Sequence, residues 1–203
     1  KICHLFSFSC FSIFNMIRCL KNHDKEGIRV EKQLTGYLPD VLQERIVSAE
    51  EAASWIKDGM TLGLSGFTRS GDAKEVPLAL VERAKKFPLR VNVFTGASLG
   101  SDIDKLFAEN DMLLKRLPFQ ADRTMRNKIN EGAFHFVDPH LSHVAELIRA
   151  DLLGKIDYAI IEAVAITDDG LIIPTTSVGN SPIFVEKAEK VIVELNIAAP
   201  RAL

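Results

Sequence analysis

Leu62-Gly63-Leu64-Ser65-Gly66-Phe67-Thr68-Arg69-Ser70-Gly71-Asp72-Ala73-Lys74-Glu75-Val76-Pro77 decides the fold. A short apolar run enters a glycine-bracketed polar loop, and a helix-like pattern follows, with Pro77 in its first turn. That order is strand, ligand-facing turn, helix start. Gly66 and Gly71 give the loop backbone conformations closed to other residues. Outward from this stretch the plan repeats.

Upstream, Ser48-Ala49-Glu50-Glu51 reads as a capping box, which predicts a helix over 48–58 with Gly59 as its stop. Downstream, Leu89 to Phe94 reads as a strand leading into Thr95-Gly96-Ala97-Ser98-Leu99-Gly100, and Ser101 can cap a helix reaching Asn110. Met112 to Leu117 reads as strand or helix end. Asp122 caps a short basic helix, closed by Gly132. Phe134 to Val137 is a strand, and a helix then runs to Gly154. Ile156 to Ile161 is near-continuously apolar, which suits a parallel strand covered on both faces. Asp169-Gly170 signals a β-hairpin. Pro182 opens a helix, and Val191 to Leu195 is the last strand. Strands alternating with helices predict an α/β fold: an open, mostly parallel sheet with helices on both faces, plus one hairpin.

The 203 residues are 47% hydrophobic and 26% charged, with net charge −2, enough for one domain with a real core and without a basic footprint for nucleic acid. Cys3, Cys10 and Cys19 all precede residue 20, so no disulfide framework or zinc spacing holds the body of the chain. The first residues carry Phe6, Phe8, Phe11 and Phe14. Arg18, Asn15 and the serines argue against a membrane span, and one lysine without a small-residue cleavage site makes a poor signal peptide. Residues 1–44 are therefore expected to be a poorly ordered extension outside the fold, upstream or translated flanking sequence with Met16 as an alternative start. A targeting segment is the competing reading. The domain is expected over 45–203, and the ending just after a strand leads us to expect more protein beyond Leu203.

In open α/β sheets ligands bind beyond the C-terminal ends of the strands. The loops at Ser65–Gly71, Thr95–Ser101, Gln120–Asp122, Asp138–His140 and Thr175–Asn180 are rich in small and polar residues, which points to one multi-loop site. Nucleotide motifs fail. Gly66 to Gly71 has P-loop glycine spacing, but Asp72-Ala73 stands where Lys and Ser/Thr are required, and Gly63, Gly66 and Gly71 make no dinucleotide fingerprint. His140 and His143 with Asp138 lack an evident third metal ligand, and capping or helix-surface roles are favoured. Glu162 ends the apolar strand; a structural acceptor of loop N–H groups is favoured over a nucleophile or base. Arg123, Arg126 and Lys128 read as a solvated helix face.

The motifs Ser65-Gly66-Phe67-Thr68, Thr95-Gly96-Ala97-Ser98, Met125 to Gly132, Asp138 to Ser142, Glu162 to Ile166, Thr176 to Ser181 and Glu186 to Asn196, in that order, resemble the N-terminal half of the acetyl-CoA hydrolase/transferase family from residue 45 onward. The resemblance implies two similar lobes with the active site between them. It implies a glutamate that attacks an acyl-CoA thioester and resides in the C-terminal lobe, absent here, so that Glu162 is not assigned and this piece alone is inactive. No catalytic residue, metal or permanently bound cofactor is expected in this lobe, and coenzyme A is a substrate. The acyl or carboxylate pocket would be lined by Gly66, Phe67, Thr68, Gly71, Thr95, Gly96, Ala97, Ser98, Gln120, Ala121, Gly179 and Asn180. Ser98 is the foremost candidate, because its place in the motif matches a family residue near the bound carboxylate. Ala121 departs from the threonine of the succinate enzymes, which leaves the acceptor open. The partners implied are acyl-CoA, a small carboxylate, the chain's own C-terminal lobe and, at full length, further copies of itself. The expected location is cytoplasmic, without nucleic acid or membrane. A ligand-sensing domain on a related scaffold and a sugar-phosphate isomerase are the competing readings. The first lacks a helix-turn-helix in residues 1–45, and the second lacks a phosphate cradle.

Overall fold

The computed structural model describes residues 16–20, 39–100 and 102–198. Strand β1 (Met16–Leu20) pairs in parallel with β2 (Ile46–Val47). Between them in sequence, a 3-10 turn at Asp40–Arg45 buries Leu42. The expectation that residues 1–44 lie outside the fold is therefore corrected at two points. An isolated five-residue run carries no local strand signal, because its partners are distant in sequence.

Helix α1 (Ala49–Trp55) is capped as expected: Ser48 Oγ accepts from Glu51 N at 3.1 Å. It ends before the predicted 58, where Arg83 Nη1 donates to the Ala53 and Ile56 carbonyls, each at 2.7 Å. Those carbonyls thereby gain the partners that a helix end leaves wanting. Strand β3 (Thr61–Leu64) and helix α2 (Glu75–Ala84) follow, then β4 (Val91–Phe94). Helix α3 (Asp104–Glu109) starts later than a Ser101 cap implies, and Ser101 lies outside the described residues. The open reading at 112–117 resolves as strand β5 (Leu113–Leu117). Helix α4 (Arg123–Asn130) has the expected cap, with Asp122 Oδ1 accepting from Met125 N at 2.9 Å. Strand β6 (His135–Phe136) and helix α5 (Leu141–Arg149) precede β7 (Ile156–Ile166). The hairpin partner β8 (Ile172–Pro174), helix α6 (Ser181–Lys187) and β9 (Ala188–Leu195) complete the order.

The sheet runs β2-β1-β9-β7-β3-β4-β5-β6, parallel throughout, with β8 antiparallel on β7. Successive residues of β7 divide between two cores. Tyr158 and Ile160 join Leu80, Val81, Phe107 and Met125 under α2, α3 and α4. Ala159, Ile161 and Ala163 join Val144, Ile148 and Phe184 under α5 and α6. Both faces are covered, which is why β7 reads as a continuous apolar run. A β-carbon at Gly63 would lie 2.7 Å from Phe184 Cγ, so only glycine lets α6 sit this close to β3.

Candidate functional site

Five loops converge at the C-terminal ends of the strands. Ser65 opens the first. Its hydroxyl donates to the Gly71 carbonyl and accepts from Glu162 N, each at 2.8 Å. The tip is a two-residue hairpin, with Phe67 N donating to Ser70 O at 3.0 Å and Ser70 N to Phe67 O at 3.1 Å. Thr68 at φ 49° and Arg69 at φ 70° are left-handed, which is costly for a β-branched residue. Neighbouring bonds hold the turn in place: Ser70 Oγ donates to Thr176 Oγ1 at 2.8 Å, and Ser177 Oγ to Ser70 O at 2.5 Å. Gly66, at φ 125°, is boxed in, since a β-carbon there would meet Asp72 Cβ at 2.6 Å. Its carbonyl oxygen lies 2.7 Å from where a Gly96 β-carbon would stand, so the first and second loops touch backbone to backbone.

The second loop rests on buried polar groups. Thr95 Oγ1 donates to the Ala97 carbonyl. Asn180 Nδ2 reaches the Thr95 carbonyl at 3.2 Å and ties in the fifth loop. Ser98, 1% exposed, donates to Asp104 Oδ2 at 2.8 Å. The third loop begins at the cis Leu117–Pro118 bond. Gln120 Nε2 donates to the Pro118 and Phe119 carbonyls at 2.7 and 3.0 Å. In the fourth, His140 Nδ1 accepts from Ser142 N at 3.4 Å at the start of α5, and its ring meets His143 edge-on at 5.9 Å.

An open cavity of about 600 Å³ lies among these loops, lined by Phe67, Thr68, Gly96, Ala97, Pro118, Phe119, Asp138, Pro139, His140 and Leu141. Phe67 and Phe119, both in the lining, are 38% and 55% exposed. Of the expected pocket residues, the structure brings Phe67, Thr68, Gly96 and Ala97 to the lining. Thr95, Ser98, Gln120 and Asn180 sit behind it as buried, hydrogen-bonded supports. Gly66 and Gly71 shape the first loop, Gly179 packs beside Gly96, and Ala121 is exposed and outside the lining. The sequence places Asp138, Pro139 and His140 in a strand-end site loop without assigning them to the pocket, and the structure adds them to the lining together with Pro118, Phe119 and Leu141. An exposed phenylalanine after a proline, in a loop at the binding edge, was the available signal. A second cavity of about 630 Å³ lies outside α1 and α2, among Leu78, Ala79, Arg83 and Phe87, lined by helices and not by the strand-end loops.

Glu162 stands within β7, not at its end, and is 7% exposed; its Oε1 accepts from Asn196 Nδ2 at 3.2 Å. Its register partner Glu194 accepts loop and helix backbone N–H groups. Glu194 accepts from Lys74 N at 2.7 Å, Glu75 N at 3.1 Å and Val76 N at 2.8 Å, at the start of α2. Burial pushes its pKa up to about 7, against the pull of those three donors. Burial likewise raises Asp72, opposed by Lys74, whose Nζ lies 3.6 Å from Asp72 Oδ2. Among the described residues no cluster of three or more His, Cys, Asp or Glu is placed to hold a metal ion, and no helix is long and apolar enough to cross a membrane.

Comparison with known proteins gives these features a context. The chain is 48% identical over 164 residues to the succinyl-CoA:acetate CoA-transferase of Clostridium kluyveri, covering 80% of this chain and 30% of that protein. It is 39% identical over 155 residues to the propanoyl-CoA:succinate CoA transferase of Escherichia coli, covering 74% and 32%. It is 39% identical over 180 residues to the acetyl-CoA hydrolase of Saccharomyces cerevisiae, covering 83% and 34%. The chain thus spans about a third of the length of these curated relatives. Among solved structures, the glutaconate coenzyme A-transferase of Acidaminococcus fermentans shares the fold, with TM-score 0.60 at 15% identity over 74% of this chain and 67% of that one. RipA of Yersinia pestis does so with TM-score 0.59 at 19% identity, over 86% and 40%. The family model for the acetyl-CoA hydrolase/transferase N-terminal domain matches residues 38–202, and the chain belongs to that family.

Proposed function

We propose that this domain supplies the acyl and carboxylate pocket of an acyl-CoA:carboxylate CoA-transferase or acetyl-CoA hydrolase. The observation that carries the reading is the cavity itself. Its lining pairs the loop backbone at Gly96–Ala97 with the exposed rings of Phe67 and Phe119. Loop backbone suits a polar acyl oxygen, and aromatic and proline surfaces suit an apolar acyl body. The names of the relatives support acyl-CoA with a small carboxylate or water as the substrate class.

In the full-length protein, a glutamate of a second lobe attacks the thioester carbonyl and expels the CoA thiolate, leaving a mixed anhydride. The thiolate then attacks the glutamyl carbonyl and releases the first carboxylate. An acceptor carboxylate takes the acyl position, and the same steps run in reverse return the glutamate. When water resolves the glutamyl thioester, the outcome is hydrolysis. This domain's part is to hold the acyl group and the departing or incoming carboxylate within the cavity, out of bulk water. Glu162 and Glu194 take no chemical step. The same reading extends to homo-oligomeric assembly and cytoplasmic location of the whole protein.

The test is isotope exchange by the full-length protein between acetyl-CoA and labelled acetate or succinate. Label should pass into the CoA thioester pool, and the 203-residue chain alone should catalyse none. Absence of both exchange and hydrolysis in the full-length protein would overturn the reading.

A further inference from the structure

One buried ion pair lies outside the cavity and is bonded to two sections of its wall. Arg116 on β5 is 0% exposed, and Asp104 at the start of α3 is 1% exposed. Arg116 Nη2 and Nε donate to Asp104 Oδ1 at 2.8 and 3.3 Å. Its Nη1 donates to Thr95 Oγ1 at 2.9 Å and to the Leu117 carbonyl. Asp104 Oδ2 accepts from Ser98 Oγ at 2.8 Å, Leu99 N at 2.6 Å and Gly100 N at 3.2 Å.

The stretch Thr95–Gly100 is thus gripped at both ends by one ion pair. Gly96 and Ala97, its cavity-lining residues, lie between the grips. Thr95 Oγ1 passes the hold onward by donating to the Ala97 carbonyl. On the other side, Leu117 directly precedes Pro118 and Phe119, which also line the cavity. A buried ion pair adds little net stability over an apolar pair of the same shape. The bonds of this one end on two of the loops that wall the cavity.

We infer that Arg116 and Asp104 position the acyl pocket, fixing the Gly96–Ala97 section of its lining relative to the Pro118–Phe119 section. The inference rests on reading the cavity as an acyl pocket. Neither residue touches substrate. Their effect is to set how closely the walls fit a short acyl chain.

Two variants of the full-length protein test it. Arg116→Lys keeps the charge but replaces a planar fork with a single point donor. Thr95→Val is isosteric and removes the joint between Arg116 and Ala97. Val81→Ala, in the core beneath α2, serves as a control for lost stability alone. The readout is the ratio of kcat/KM for acetyl-CoA to that for butanoyl-CoA, measured well below each Tm. Both pocket variants should shift this ratio about tenfold toward the longer chain, because misplacement of the walls weighs on the tightest-fitting substrate. Val81→Ala should lower Tm and leave the ratio unchanged. A ratio within about twofold of wild type in Thr95→Val, or an equal shift in Val81→Ala, overturns the inference. Should Arg116→Lys fail to fold, Thr95→Val decides alone. If wild type shows no acyl exchange, the pocket reading itself has failed. Amide hydrogen exchange then decides the positioning claim: in Thr95→Val it should quicken at the amide of position 95, which donates to the Leu117 carbonyl at 3.1 Å, and at Leu99, which donates to Asp104 Oδ2 at 2.6 Å, and unchanged protection at both refutes it.

Discussion

At the residue scale, two positions show how closely the loops and layers fit. Gly63 has no unusual φ; its constraint is the Phe184 ring, whose Cγ lies 2.7 Å from an added β-carbon. Gly63→Ala must push α6 off β3, and we expect a loss of about 1–3 kcal/mol in urea unfolding, as for overpacked cores. Ser98 was the foremost pocket candidate on resemblance. The structure gives its hydroxyl a buried partner, Asp104 Oδ2 at 2.8 Å. Ser98→Ala leaves that carboxylate short of a donor, and we expect it to cost about 1–3 kcal/mol of stability. An equilibrium unfolding curve coincident with wild type would contradict this. The position of Ser98 in a polar, glycine-containing loop was legible in the sequence. Its burial was not, because the groups that engage it come from α3 and, behind them, from β5. The left-handed turn at Thr68–Arg69 was hidden for a similar reason, since neither residue type favours that conformation and the bonds that hold it come from Thr176 and Ser177.

At the element scale, local signals served best where the chemistry is local. The Ser48 and Asp122 caps and the Asp169-Gly170 turn stand where the sequence places them, because cap and turn geometry is decided within a few residues. Strand β1 was missed because its partners, β9 and β2, lie far along the chain. Helix α2 depends on a distant residue too: Glu194, 118 to 120 positions away, accepts its first N–H groups. The folded-state pKa of Glu194, about 7, exceeds its ordinary 4.5. Between those values the folded protein binds the proton more tightly than the unfolded chain. The stabilising contribution is therefore complete below about pH 4.5 and is lost as pH rises through about 7, on the order of 3 kcal/mol in all. Glu194→Gln should flatten that part of the profile of unfolding free energy against pH. A slope unchanged by the substitution would contradict the assignment.

At the scale of the whole molecule, the alternation of strand and helix was enough to give an open parallel sheet, and β7 was legible as its buried centre. The cavity was legible in outline, as a convergence of strand-end loops. Its membership was partly legible: Phe67, Thr68, Gly96 and Ala97 were expected in the pocket and Asp138–His140 in a site loop, whereas Pro118, Phe119 and Leu141 arrive through packing. If the cavity holds the acyl group, its exposed rings matter to binding more than to folding. Phe119→Ala in the full-length protein should raise KM for acyl-CoA several-fold and leave Tm nearly unchanged, since the ring is 55% exposed. The most direct test is a crystal structure of the full-length protein with a non-hydrolysable acyl-CoA thioether. We expect density for the acyl group between the Gly96–Ala97 backbone and the rings of Phe67 and Phe119. An acyl group bound elsewhere, with this cavity filled only by solvent, would contradict the assignment.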